Sequence, residues 1–359
     1  MRAPRRAPFA TPRMRLSRPV PVASLRGPRP ERTAGGPPLR SRSANGDDGV
    51  VHLPVLPEET LAAFAPIAEG GGWVVDATLG AGGHSRMLLE RYPSLRLLGT
   101  DQDPEILDIA RKRLAPFADR IQLEQARLSE LTRLIRKLQR GSPLGWLMDV
   151  GASSLQLDRP ERGFSFLHDG PLDMRMDPSR ERTAADIINR WDETDLADLF
   201  FFEGGERAGR KIARAVVDAR RRAPFRRTGA LADLVERATG RAGGRIHPAT
   251  KVFQALRRAV NEEGEELRAG LEAAQACLAT GGVMVVISFH SGEDGEVKRF
   301  LQTGSREGRW ELQSKKAVQA TREEIRSNSR SRSAKLRAAV RLRDDSQDVD
   351  ESIDEGLEA

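Results

Sequence analysis

The sequence predicts a doubly wound α/β protein, a mostly parallel sheet into which an all-helical domain is inserted. Three observations predict it. From residue 73 to 150, short apolar runs that end at or near an acid alternate with helical patterns. From about residue 158 to 248 helical patterns continue without a convincing strand. Then Gly281-Gly282 introduces the apolar run Val283–Ser288, where the sheet resumes. Strands that alternate with helices form parallel sheets, because each crossover between parallel neighbours needs a covering element.

The elements follow in chain order. Trp73-Val-Val-Asp76 is the first strand and leads into Gly80, Gly82 and Gly83. His84–Arg91 has helical spacing, with Met87 and Leu88 facing inward. Leu95–Thr100 is the second strand and runs into Asp101. Pro104 opens a helix to Leu114, since the fixed φ of proline and its missing N–H suit a first turn. Ile121–Leu123 is a third strand, Leu128–Leu138 a helix, and Trp146–Val150 a fourth strand that carries Asp149 near its end. Thr194–Phe202 and Arg207–Arg222 are helical patterns of the insertion. One long helix is expected over Thr250–Ala279, and a last strand near Ala334–Leu342. The division is therefore a terminal segment 1–47, a first sheet part 48–160, a helical insertion 161–248, a second sheet part 249–343 and an acidic tail 344–359.

Charge is unevenly spread. The net charge is +7, but residues 1–45 hold eleven Arg against Glu31 alone, whereas residues 344–359 hold eight acids and no base. The body keeps +5, so nucleic-acid binding rests on local clusters rather than on the isoelectric point. Both ends are expected to be disordered, since neither composition can bury a core. The Arg-, Pro- and Ser-rich first segment has the composition of an organelle transit peptide. Its prolines favour a plastid over a mitochondrion, and without targeting the chain would remain in the cytoplasm. Cys277 is the single cysteine, which leaves no disulfide framework and no thiolate zinc site. No apolar run approaches the ~20 residues of a membrane span.

An open parallel sheet binds ligands at the carboxyl ends of its strands. Asp76 ends the first strand, where it could face a cationic amino group. Asp101 lies 21 residues after Gly80, the spacing at which an acid reaches ribose hydroxyls. A dinucleotide site shares most of this logic. Ser85 in place of a third glycine, together with Asp76, favours S-adenosylmethionine over NAD. His84 follows the glycines directly and is either a further cofactor contact or a surface residue at a helix start.

Several segments then match one family together. They are His52-Leu-Pro-Val-Leu56, Asp76-Ala-Thr-Leu-Gly-Ala-Gly-Gly-His-Ser85, Asp149-Val-Gly-Ala-Ser-Ser-Leu-Gln-Leu-Asp158, Glu161-Arg-Gly-Phe-Ser-Phe166 and Asp169-Gly-Pro-Leu-Asp-Met-Arg-Met-Asp177. His247-Pro-Ala-Thr250, Phe253-Gln-Ala-Leu-Arg257, Ile287-Ser-Phe-His-Ser291 and Ser331-Arg-Ser-Ala-Lys-Leu-Arg337 continue the series. Over about residues 51–340 the chain resembles the ribosomal small-subunit methyltransferase H family. The resemblance implies a Rossmann-like class I methyltransferase domain with an inserted helical domain. It implies S-adenosylmethionine as cofactor and, as substrate, the exocyclic N4 of a cytidine in the decoding region of small-subunit rRNA. It places cofactor contacts on Gly82, Gly83, His84, Asp101, Asp149 and Gln156. A further family contact is a phenylalanine after strand three; Leu128 stands there, so the resemblance implies an aliphatic contact with adenine. Ala152 stands for valine, Gly292 for leucine and Ser329 for proline.

A cytosine amino group is a poor nucleophile because its lone pair is delocalised into the ring, so positioning and a proton acceptor must lower the barrier. Asp149 is the first candidate for contact with cofactor or amino group. Asp149-Val-Gly-Ala-Ser-Ser154 occupies the slot of the Ser/Asp-Pro-Pro-aromatic motif found in many amino-group methyltransferases, and Ser153 and Ser154 either serve the site or cap a turn. Asp173, Arg175 and Asp177 alternate with Met174 and Met176. An extended segment would put those charges on one face, at the mouth of the site. His290 follows Val283–Ser288 and is a candidate base contact or proton relay, or a structural residue.

Residues 207–227 hold nine bases against Asp218. Ile212, Val216 and Ala219 form an apolar stripe, so Arg210, Lys211, Arg214, Arg221 and Arg222 point elsewhere, toward phosphate or plain solvent. Arg330, Arg332, Lys335 and Arg337 form a second cluster. The expected partner is small-subunit rRNA or the small ribosomal subunit, without a membrane, and a homodimer stays open. The competing reading is a cofactor-binding assembly factor with little catalytic role; a methyltransferase for protein or a small molecule is a third.

Overall fold

The computed structural model describes residues 53–68, 70–240 and 247–342. The targeting segment and the acidic tail expected at the two ends lie outside the described residues.

Five parallel strands form the centre of the sheet: β1 (Gly72–Asp76), β2 (Leu95–Asp101), β3 (Ile121–Gln125), β4 (Gly145–Asp149) and β5 (Val283–Ser288). Two short strands, β6 (Trp310–Leu312) and β7 (Val318–Gln319), and a long one, β8 (Lys335–Arg341), complete it. The order is β3-β2-β1-β4-β5-β8-β6, with β7 also on β8, and β8 runs antiparallel to β5. The strand order reverses between β1 and β4, so Asp76 and Asp149 end neighbouring strands at the switch point, where a crevice opens.

Side-chain alternation explains why both faces are covered. Trp73, Val75, Trp146 and Met148 point to one face, in one core cluster with residues of α4 (Leu131–Leu138), α11 (Glu263–Cys277) and α12 (Ser291–Arg306). Val74, Leu147 and Val285 point to the other, toward α1 (Pro57–Ala68) and α2 (Gly83–Arg91). α3 (Pro104–Arg113) packs beside α2 through Leu107 and Ala110. In α2 the buried apolar residues are Leu88 and Leu89, beside the buried polar His84 and Ser85, with Met87 only partly covered.

The inserted part follows the short α5 (Ser154–Asp158). It comprises α6 (Ala184–Arg190), α7 (Glu193–Asp198), a π turn Leu199–Glu203, α8 (Gly209–Arg220), α9 (Thr228–Thr239) and α10 (Ala249–Asn261). Its apolar core runs from Leu172 to Val260 and takes Val252, Phe253 and Leu256 from α10. The single helix expected over Thr250–Ala279 is therefore two, α10 in the helical core and α11 against the sheet. Glu262, at φ 55, breaks them. The left-handed residue is not a glycine, although Gly264 follows two residues on; ion pairs to Arg127 and Arg180 hold the turn. A last short helix, α13 (Arg322–Ser327), precedes β8.

Residues 160–177 cross between the two parts by close backbone approach. A Cβ on Gly163 would collide with the Pro171 carbonyl, and one on Gly170 with the Pro160 carbonyl. Gly163 also sits at φ 72, a conformation that penalises a side chain. Gly163→Ala should therefore cost ~3 kcal/mol or more in urea unfolding, whereas Gly80→Ala, with open space around its Cβ, should cost ~1 kcal/mol.

Candidate active site

A cavity of about 540 Å³ opens where the carboxyl ends of β1, β2, β4 and β5 meet α10 and α11. Its volume falls in the range of small-molecule and cofactor sites. One half is the loop after β1. The Gly80 N–H donates to Asp101 Oδ2 at 2.9 Å, and the Asp103 N–H donates to Asp101 Oδ1 at 3.0 Å. Asp101 thus holds the loop from the neighbouring strand while it lines the cavity. Burial pushes its carboxyl up to about 6.

Seven of the nine cofactor candidates line the cavity: Gly80, Gly83, His84, Asp101, Leu128, Asp149 and Gln156. Two do not. Asp76 is buried beneath the loop, where its Oδ2 accepts from Ser85 Oγ at 2.6 Å and its Oδ1 from the Thr78 N–H at 3.4 Å. It staples the loop to α2 instead of facing a cationic ligand, and burial pushes it up to about 6. Gly82, at φ 77, lies against Leu114 and makes the turn that starts α2.

Asp149 stands between the halves. The Thr78 hydroxyl accepts from its backbone N–H at 2.6 Å. Its Oδ2 lies 3.6 Å from His84 Nδ1, and its Oδ1 is buried with no hydrogen-bond partner among the described residues. His84 Nε2 donates to the Val55 carbonyl at 2.8 Å, which leaves Nδ1 as the ring nitrogen without the proton when the ring is neutral. Burial lowers the His84 pKa and, with Glu293 nearby, pushes Asp149 up to about 7. Gln156 is already engaged: Nε2 donates to Asp103 Oδ2 at 2.8 Å, and Oε1 accepts from the Ser153 N–H at 2.9 Å. Ser153 Oγ accepts from the Gln156 N–H, so Ser153 caps α5.

Asp173 and Arg175 need correction. They pair with each other at 2.7 and 2.8 Å, Arg175 also donates to the Pro178 carbonyl at 2.8 Å, and neither lines the cavity. The alternation survives in burial, with Leu172, Met174 and Met176 inward. The segment is not a strand, because Met174 sits at φ 65. Met176 is the part that reaches the cavity. Asn261 places it: Oδ1 accepts from the Met176 N–H, and Nδ2 donates to the Met174 and Arg257 carbonyls, each at 2.8 Å.

The far wall holds residues that sequence reasoning missed. Arg257 forks onto Glu263 at 2.7 and 2.8 Å. Glu293 is buried and accepts from the Phe289 N–H at 3.0 Å. Burial would raise its pKa, but His290, the Phe289 amide and Arg257 outweigh it and hold the carboxyl below its usual range. His290 lines the cavity. Its Nδ1 caps α12, accepting from the Gly292 and Glu293 N–H groups at 3.1 and 3.3 Å, and its Nε2 lies 2.6 Å from Glu293 Oε1. Two signals were available: Arg257 closes the family-matching segment Phe253–Arg257, to which no role was given, and the His290-x-x-Glu293 spacing reads as a helix cap.

The basic candidates of the insertion are exposed. Ile212 and Val216 of α8 are buried, and Arg210, Lys211, Arg214, Arg221 and Arg222 face solvent. Arg214 lies 3.3 Å from Glu193 and Arg221 3.6 Å from Asp218. In the second cluster, Arg332 is exposed and Arg330 sits on the cavity rim, whereas Lys335 and Arg337 are spent on Asp294 at 3.0 and 2.8 Å. No cluster of three metal-ligating side chains exists among the described residues, and no described helix is long and apolar enough to cross a membrane.

Asp149 binds its proton more tightly in the folded chain than in the unfolded one. The stability tied to it is full below about pH 4 and is lost as the pH rises through about 7. Asp149→Asn, which keeps the shape and removes the charge, should therefore raise the melting temperature by about 2–4 °C at pH 8 and hardly at all at pH 4, read by calorimetry at both pH values.

Comparison with known proteins agrees with this geometry. A family model described as the MraW methylase family matches residues 49–342. The protein named ribosomal RNA small subunit methyltransferase H of Synechococcus elongatus is 45% identical over 293 residues, 81% of this chain and 95% of that one. The protein of the same name from Sorangium cellulosum is 47% identical over 308 residues, 85% and 94% of the two chains. That of Thermobifida fusca is 42% identical over 329 residues, 86% and 99%. With the match running across sheet and helical unit alike, the chain belongs to the MraW methylase family.

Proposed function

We propose that this protein transfers a methyl group from S-adenosylmethionine to the exocyclic N4 of a cytidine in the decoding region of small-subunit rRNA. The observation that carries the reading is the two-sided cavity. A glycine loop with Asp101 forms one half, α10, α11 and the start of α12 form the other, and Asp149 with its unpartnered oxygen stands between them. The relatives named above supply the rRNA substrate.

The residues fit the cofactor. Gly80 and Gly83 let the backbone approach, Asp101 suits ribose hydroxyls, and Leu128 offers an apolar contact for a base. Bound there, S-adenosylmethionine supplies a methyl on a sulfonium, an electrophile that needs no further activation. The chain positions the cytosine amino nitrogen and accepts its proton. Asp149, with a proton affinity near neutrality, suits the second task. Glu293, held ionised by His290 and the Phe289 amide, offers a second fixed acceptor on the same wall. Arg257, held by the fork of Glu263, offers its remaining N–H groups to a carbonyl oxygen. The exposed face of α8 and Arg332 hold the RNA outside by phosphate contact. The arginine-rich, acid-poor segment 1–45 supports import into a plastid as the setting.

The test is nucleoside mass spectrometry of small-subunit rRNA from a knockout complemented with wild type or with Asp149→Ala. N4-methylcytidine should disappear in the knockout and return only with wild type; purified Asp149→Ala should lose about 10²-fold or more in kcat. A modification unchanged in the knockout would refute the reading.

A further inference from the structure

The π turn Leu199–Glu203 carries a surface that the cavity does not use. Phe201 and Phe202 are 51% and 72% exposed, and their rings meet edge to face at 5.1 Å. The turn that presents them is firmly seated: Phe200 is buried, the Glu206 N–H donates to the Phe200 carbonyl at 2.9 Å, and Arg258 donates to the Glu203 carbonyl at 2.9 Å. Such widened turns are rare and recur at functional positions. Beside the rings lies a groove of about 420 Å³, lined by Trp191, Asp195, Asp198, Leu199, Phe202 and Glu203.

Its charge is one-sided. Residues 192–206 hold six acids and no Lys or Arg. Some of these acids are spent internally: Asp192 caps α7, Glu206 is buried and bonds the Ala208 N–H, and Glu203 meets Arg258 at 2.8 Å. Asp195 and Asp198 are exposed on the groove. A phosphate backbone is repelled here. A guanidinium suits the place, stacking on an aromatic face while carboxylates take its N–H groups. The neighbouring α8, packed on α7, presents the opposite charge. Side by side, the two faces match a surface that alternates basic polypeptide with phosphate.

We propose that the groove at the π turn docks an arginine-rich polypeptide segment of the particle that carries the substrate RNA. The test uses the full chain and a fluorescein-labelled dodecapeptide with arginine at alternate positions, read by polarisation, against a peptide with glutamate in place of arginine. The expected dissociation constant is on the order of 10 μM at low salt. Phe202→Ser and the double variant Asp195→Asn, Asp198→Asn should each weaken binding at least tenfold. Both variants should leave the melting temperature within about 2 °C, because the altered side chains are exposed, and leave methylation of a free rRNA transcript unchanged. Arginine-peptide binding that persists in both variants, as it would if the eight acids of 344–359 carried it, overturns the proposal. So does equal binding of the glutamate peptide. Self-association of the wild type that Phe202→Ser abolishes would assign the face to a second copy of the chain and overturn it as well.

Discussion

Glu262 joins the helical unit to the sheet, and the site depends on how it does so. Its φ of 55 is a left-handed conformation that costs a residue with a side chain about 1 kcal/mol. Its carboxylate offsets that strain by taking Arg127 at 2.8 Å and Arg180 at 2.9 Å. The residues on either side work in the same place. Asn261 ties down the backbone of Met174 and Met176, and Glu263 takes the fork of Arg257. Three consecutive side chains thus fix the crossing segment, α10 and the far wall of the cavity against the sheet. Opposite them, the loop after β1 is fixed from within the sheet by Asp76 and Asp101.

The carboxylates at the switch point share one electrostatic consequence. Strands ending together at a crevice bring Asp76, Asp101 and Asp149 into low-dielectric surroundings, where burial raises each of them. Asp76 and Asp101 have their oxygens engaged by the loop. Asp149 keeps one oxygen unpartnered, and beside it His84 is neutralised by the same burial. One carboxyl oxygen without a hydrogen-bond partner therefore stands at the boundary between the two halves. A cationic cofactor lowers the free energy of that arrangement, and so does a nitrogen that must lose a proton.

The sheet and the glycine loop were legible because their signals are local. Strands Trp73–Asp76 and Val283–Ser288 are apolar runs that the surrounding sequence punctuates with acids and glycines. The break at Glu262 was not legible, because the helical pattern continues through it and the compensating arginines lie 135 and 82 residues away. Asp173 and Arg175 misled for the opposite reason. Their alternation did report which side chains are buried, but a carboxylate two residues from a guanidinium is satisfied locally before it can serve a distant site. Asn261 and Glu293 sit on ordinary helical stretches, and Arg257 closes a family-matching segment without a spacing that names its role. What sets them apart is what other segments bring to them, and that is a property of the fold.

Charge is sorted by depth. Acids line the interior of the cavity, where Arg127 and Arg257 are paired with Glu266 and Glu263; Arg113 also stands on the wall, beside the Ala81 carbonyl. Uncompensated bases stand outside, on α8 and at Arg332. A polyanion is drawn to the outer bases, yet the acids at the cavity floor turn away its phosphates. An uncharged base turned out of its stack meets no such repulsion. This sorting requires the helical unit, because the sheet alone supplies only one wall. The insertion brings the other wall through α10 and the exposed basic surface through α8, and both are carried by a single apolar core from Leu172 to Val260.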